Sequence, residues 1–253
     1  MGSIHELRIV TRRLGVWSDW LVALDPDVPP PRSRRRLRFL LRGLSRMRDC
    51  QVHGILLGHV PKRIQPAARV ILRRLRAEES ALSRRVRRRC RFAAGWFCRD
   101  IPRRMEPLVP VLAGIESRSP SLRWIRHLSC LVKRRVPDRG SEEPAAWHRW
   151  RRAIRHLRFV LEMLGASPGN PSDTRGLQQI LKPLGTIQDF DSLAKYLRQI
   201  QGAGFRDHPE VGLLLRWVES RRDAGIRRLD PHAASWRRKG ASKKPVSTGR
   251  GGA

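Results

Sequence analysis

Acidic residues are scarce in this chain. Its 253 residues hold 22 Asp plus Glu against 54 Lys plus Arg, a formal net charge of +32. Tyrosine occurs once, and aromatic residues make up 6% of the chain. Cysteine is limited to Cys50, Cys90, Cys98 and Cys130, with no C-x-x-C pair. That spacing does not indicate a thiolate metal site or a redox dithiol, so the four are expected to be small buried side chains in a reducing compartment. Long apolar runs are missing too: no window offers eighteen consecutive apolar residues, and the opening MGSIHELRIV lacks a signal-peptide core. Glu6 stands where N-myristoylation requires Ser or Thr. A cytoplasmic protein that does not enter membranes is expected.

Enzyme signatures are equally thin. There is no H-E-x-x-H, no phosphate-binding glycine loop followed by Lys and Ser or Thr, no G-x-S-x-G, and no dinucleotide-binding glycine fingerprint. His53, His59, His127, His156, His208 and His232 show no metal-ligand spacing. No catalytic residue, metal or cofactor is expected.

What is present is charge on a foldable chain. A 40% hydrophobic fraction is enough to build a core for one large domain or two small ones. The basic residues divide into 47 Arg and 7 Lys. Guanidinium forks bind phosphate bidentately where an ammonium offers a point charge. A G+C-rich gene would explain the preference for Arg over Lys, but not the overall excess of positive charge. A polyanion partner follows from that excess.

Apolar residues recur at spacings of three and four, and alternating β-branched runs are lacking, so the chain reads as all-α. Proline- and glycine-rich segments at 25–33, 107–120, 136–144 and 165–173 separate helices expected near 4–24, 34–58, 62–98, 121–136, 144–164, 174–200 and 209–229. From Arg237 onward almost no apolar residue remains, and 237–253 is expected to be a disordered basic tail.

The chain repeats itself. His5-x-x-Arg8-x-x-x-Arg12-x-Leu14 matches His148-x-x-Arg151-x-x-x-Arg155-x-Leu157 at an offset of 143 residues. Leu41-x-x-Leu44-x-x-x-Arg48-Asp49 matches Leu181-x-x-Leu184-x-x-x-Gln188-Asp189 at an offset of 140. Two matches in the same order at nearly the same spacing indicate a duplicated helical unit.

On a helical wheel, Leu7, Val10, Leu14, Trp17 and Leu21 share an arc of about 80°, with His5, Arg8 and Arg12 opposite. The second copy keeps this register: Trp150, Ala153, Leu157, Val160 and Leu164 form the apolar stripe, and His148, Arg151, Arg155 and Arg158 the basic one. On the next helix of the first unit, Arg34, Arg35, Arg38 and Arg42 adjoin Leu37, Leu40, Leu41 and Leu44; in the second unit only Arg175 and Lys182 keep that pattern. Asp49 and Asp189 are expected at a break in their helices, capping a turn or orienting an arginine. A single basic stripe reads as a solvated face. Like charges at i, i+3 and i+7 repel, however, and their repetition in two units favours a shared anion-binding surface.

These residues resemble the CHAD domain, the conserved histidine α-helical domain. The likeness rests on H-x-x-R-x-x-x-R-R-L from His5, the Leu-x-x-Leu-x-x-x-Arg-Asp segment, and their second occurrence from His148, and it covers roughly 4–236. It implies two up-and-down helical bundles, 4–136 and 143–236, related by a pseudo-two-fold around a basic central cavity. It also implies non-catalytic binding of inorganic polyphosphate and association with polyphosphate granules. The residues that would line the cavity are His5, Arg8, Arg12, Arg35, Arg38 and Arg42 in the first half. Those of the second half are His148, Arg151, Arg155, Arg158, Arg175 and Lys182. Two positions depart from the pattern: Gly15 stands opposite Arg158, and Gln188 opposite Arg48.

Two alternatives remain at this point. A nucleic-acid-binding module suits the charge, and Trp147 and Phe159, nearer the basic stripe, would be its stacking residues. A phosphoacceptor or phosphohydrolase using His5 or His148 is the other.

Overall fold

The computed structural model describes residues 2–24, 33–106, 119–163, 172–202 and 209–241. They form seven α-helices and no strand: α1 (Gly2–Leu24), α2 (Ser33–Gly58), α3 (Gln65–Met105), α4 (Ser119–Arg134), α5 (Pro144–Met163), α6 (Ser172–Gly202) and α7 (Pro209–Ala241). The expected all-α class is what is found. No helix among the described residues is long and apolar enough to cross a membrane.

Two antiparallel hairpins carry the architecture. Leu40, Leu44 and Met47 of α2 pack with Val86 late in α3, whereas Cys50 and Leu57 pack with Ala68, Ile71 and Leu75 early in α3. The turn between them is tightened by a short 3₁₀ segment, Lys62–Ile64, in which Ile64 N–H donates to the Pro61 carbonyl at 3.0 Å. Helices α6 and α7 form the matching hairpin. The turn ends of both hairpins share one core, in which Leu57, Ile71, Leu193, Leu197, Leu214 and Val218 are buried.

The open ends differ. That of α6 and α7 receives α4 and α5 and closes over Trp147, Trp150, Ile154, Val160, Leu184 and Val132. That of α2 and α3 receives, among the described residues, α1 through Ile4 and Leu7, over a smaller core. Between the units like packs on like: α1 on α5, α2 on α6, α3 on α7. By the boundaries read from sequence α4 falls in the first half, yet Leu128 and Val132 are buried in the core of the second.

Several local expectations are corrected by packing. Helix α1 is held by α2 on one side and α5 on the other. Val10 is therefore left 51% exposed, while Thr11 is fully buried and donates its hydroxyl to the Leu7 carbonyl at 2.6 Å. Asp49 and Asp189 lie at no helix break, since α2 and α6 run through them. Cys130 is exposed on α4, and only Cys50 of the described cysteines is fully buried. The tail does not begin at 237. Helix α7 continues past Pro231 to Ala241, and Arg237 is anchored, donating to the Pro137 carbonyl and to Asp230 Oδ1 at 3.1 Å. The rest of the expected tail, from 242, lies outside the described residues.

Candidate anion-binding site

Four arginines meet where α1 packs on α5. Arg8 and Arg12 stand one helical turn apart on α1, and Arg151 and Arg155 repeat that spacing on α5. All four are partly buried. Burial is the largest influence on each guanidinium and disfavours its charge. It lowers Arg12 to about 10, with Arg8 and Arg151 adding repulsion. It lowers Arg155 to about 9, with Arg12, Arg151 and Arg8 adding theirs. Arg8 and Arg151 are shifted in the same direction, also chiefly by burial. The side chains thus repel one another in a setting that screens them poorly.

Acids do not close the cluster. Among the described residues they pair elsewhere: Glu162 with Arg158 at 2.6 Å and with Arg13 at 3.1 Å, Glu78 with Arg74 at 3.0 Å, Asp191 with Lys195 at 2.7 Å. Near the four arginines stand Asp49 on α2 and Asp189 on α6, equivalent residues brought together where those helices pack. Burial raises both carboxyls above their ordinary range and outweighs the pull of Arg8 on Asp49 and of Arg151 on Asp189. Two donors are left over, again at equivalent positions: Nε of Arg8 and Nε of Arg151 are buried without an acceptor among the described residues. Buried N–H groups rarely stay unpaired in native proteins, so an acceptor from outside the chain fits here.

The remaining predicted residues divide. His148 joins the cluster half-buried, and its Nδ1–H donates to Oε1 of Gln188. Burial holds His148 below its ordinary value, opposed by the Gln188 bond and assisted by Arg152, Arg151 and Arg155. Gln188, which stands where the first unit has Arg48, is the partner of this histidine. Arg158 is neutralised by Glu162 one turn beyond Arg155. His5, Arg35, Arg38, Arg42, Arg175 and Lys182 are exposed and are not among the charges that perturb the four. Arg42, the nearest of the α2 set, lies about 10 Å along the helix from Asp49.

Sequence reading passed over Arg48. It is half-buried and acts on Arg8, Asp49 and Asp189. The signal was the Arg-Asp pair inside the repeated segment. Trp147 and Phe159, proposed as stacking residues, are 1% and 7% exposed and belong to the core of the second unit. Trp147 donates Nε1–H inward to the Ser141 carbonyl at 2.8 Å. No group of three His, Cys, Asp or Glu among the described residues is arranged to hold a metal ion.

No curated protein matches the chain. Among solved structures, the crystal structure of the CHAD domain from the plant Ricinus communis matches with a TM-score of 0.67 over 95% of this chain and 82% of that one. At 17% identity this likeness shows the fold. The CHAD domain family model matches residues 2–198, which takes in both copies of the repeated motif and all four clustered arginines. The chain therefore belongs to the CHAD domain family.

Proposed function

We propose that this protein binds inorganic polyphosphate, without catalysis, in a basic cavity between two units related by a pseudo-two-fold. The observation that carries the proposal is the convergence of Arg8, Arg12, Arg151 and Arg155, with two buried Nε–H groups that have no acceptor among the described residues. Without an anion the cluster is under electrostatic stress. A chain of phosphates relieves that repulsion, supplies acceptors to the guanidinium forks, and releases its own condensed counterions. Equivalent residues on opposing helices suit a ligand that repeats the same group. The CHAD assignment and the shortage of acids near the cluster support this reading. Cytoplasmic placement on polyphosphate granules is part of the same proposal.

Nucleic acid is a poorer fit to this cluster, because Trp147 and Phe159 are committed to the core and present no ring for a base. For the phosphoacceptor reading, the Nδ1–H bond to Gln188 leaves Nε2 of His148 as the nitrogen with a lone pair, and acid-labile phosphate on His148 after incubation with a phosphodonor is the result that would favour it over simple binding.

The test compares two double reversals near physiological salt. Arg12→Glu with Arg155→Glu strikes the cluster. Arg73→Glu with Arg227→Glu, both exposed, removes the same charge elsewhere. Each charge-assisted contact is worth about 1.5–3 kcal/mol, so the first variant should lose about 100-fold or more in polyphosphate affinity by calorimetric titration. The second should lose only a few-fold from weaker long-range attraction. Equal losses in two folded variants would reduce the chain to a generic polycation.

A further inference from the structure

A second basic surface lies away from the arginine cluster, along the open end of the α2–α3 hairpin. From 33 to 48 on α2 and from 80 to 99 on α3 the sequence contains no acidic residue. Helical spacing places Phe39 and Arg42 on one exposed stripe of α2, and Arg85, Arg88, Arg89 and Phe92 on one stripe of α3. Packing of the two helices joins these stripes. The Arg89 guanidinium lies over the Phe39 ring at 4.3 Å. A Cβ at Gly43 would sit 2.7 Å from Nη1 of Arg89, so a side chain there would displace the flexible end of that guanidinium.

The phenylalanines are what a solvated charged face leaves unexplained. Phe39 is 47% exposed and Phe92 is 70% exposed. Phe92 follows Arg89 by three residues and rises on the same side of α3. One ring, one guanidinium and a second ring thus stand in sequence across the hairpin, flanked by arginines. Arg85 also lines a cleft of about 590 Å³ between α2, α3 and α6, with Arg46 on the opposite wall. Two acids also line that cleft: Asp49, and Glu78, which is held by Tyr196 at 2.9 Å and by Arg74 at 3.0 Å.

From this arrangement we infer that the α2–α3 face binds single-stranded nucleic acid, with unpaired bases stacked on Phe39, Arg89 and Phe92 and phosphates held by the flanking arginines. Planar groups set in a basic groove are what sequence-tolerant single-strand binding uses. An anionic membrane surface is a worse match: interfacial helices immerse a continuous apolar face, and here two rings are separated by charge. The inference does not rest on the polyphosphate reading, which concerns other residues.

The experiment uses the full chain and four probes near physiological salt: a labelled oligouridylate, a labelled oligoadenylate, inorganic polyphosphate, and vesicles of phosphatidylserine with phosphatidylcholine. Phe39→Ala with Phe92→Ala leaves the net charge unchanged. Loss of base stacking should weaken both oligonucleotides about tenfold or more, with oligoadenylate losing most. Polyphosphate, which has no bases, should bind as before, and Phe39→Trp with Phe92→Trp should retain oligonucleotide affinity. The Arg12→Glu, Arg155→Glu variant should keep oligonucleotide binding while losing polyphosphate. Should the double alanine variant melt early, Phe92→Ala alone carries the test with about a fivefold loss, since its ring is largely in solvent. Unchanged oligonucleotide affinity in a folded variant overturns the inference. So does an equal loss for polyphosphate, or a loss confined to vesicles.

Discussion

The two repeated units hold the same arginine register in unequal frameworks. In the second, α5 is one of four helices closed over Trp147, Trp150 and Ile154, and its buried arc is wide. In the first, α1 leans on a three-helix core of Leu40, Leu44, Met47 and Val86, and Val16 reaches across into the larger one. Arg151 and Arg155 therefore project from a fixed wall, and Arg8 and Arg12 from a helix that needs both units to hold it. The spacing of the clustered arginines is the same in both units. The packing behind them was free to diverge.

Truncating equivalent core residues should expose this asymmetry most strongly. Trp150 on α5 occupies the place of Leu7 on α1; it is fully buried, whereas Leu7 is partly covered. Trp150→Ala should cost about 3–5 kcal/mol in urea unfolding, and Leu7→Ala about 1–2 kcal/mol. Equal costs would mean that α1 is anchored as firmly as α5.

A smaller contrast concerns acid. His53 on α2 occupies the place of Leu193 on α6 and is buried, with Nε2 3.1 Å from the Ser192 hydroxyl. Burial lowers its pKa to about 4 from an ordinary 6.5. The unfolded chain therefore takes up this proton first, and stability falls as the pH drops from 6.5 towards 4, by up to about 3 kcal/mol. Above 6.5 this group contributes no pH dependence. His53→Leu, the residue of the other unit, should remove that part of the acid loss in melts at pH 7.5 and 4.5. An unchanged acid slope would locate the titration elsewhere.

Arg155 and its counterpart Arg12 are both disfavoured chiefly by burial and then by neighbouring arginines, but only Arg12 is partly relieved by an acid, Asp49. Arg155→Met should raise the melting temperature of the ligand-free chain by a few degrees while costing about tenfold in polyphosphate affinity. Added polyphosphate should then stabilise the wild type more than the variant. A lower melting temperature in the ligand-free variant would show that Arg155 is structurally required.

The smallest expected effect restores symmetry. Gly15 stands where the second unit has Arg158, and a Cβ added there meets nothing within 4 Å. Gly15→Arg should stabilise α1 by about 0.5–1 kcal/mol and tighten polyphosphate binding a few-fold. Weaker binding would place that side chain outside the ligand's reach.

How far the site could be read from sequence varies residue by residue. Arg8, Arg12, Arg151 and Arg155 were legible because a helix converts spacing into direction, and two copies in one register point to one purpose. Arg35, Arg38 and Arg42 had the same composition and a similar pattern, yet they lie on a solvent-facing stretch of α2 that no second unit covers. Arg48 and Gln188 were undervalued because their importance lies in what stands across from them. The acid pair Asp49 and Asp189 was located correctly along the chain, but the helix break assigned to it does not exist.

The sequence by itself determined the helices, their duplication and the polarity of each stripe, since these follow from rotation of about 100° per residue along one segment. Only the tertiary structure decided which basic stripe is enclosed, that α4 serves the second unit, that Trp147 and Phe159 face a core, and that Phe39 and Phe92 do not. Burial depends on what packs across a helix, and that neighbour is supplied by residues from about twenty to more than a hundred positions away, beyond the reach of any local period.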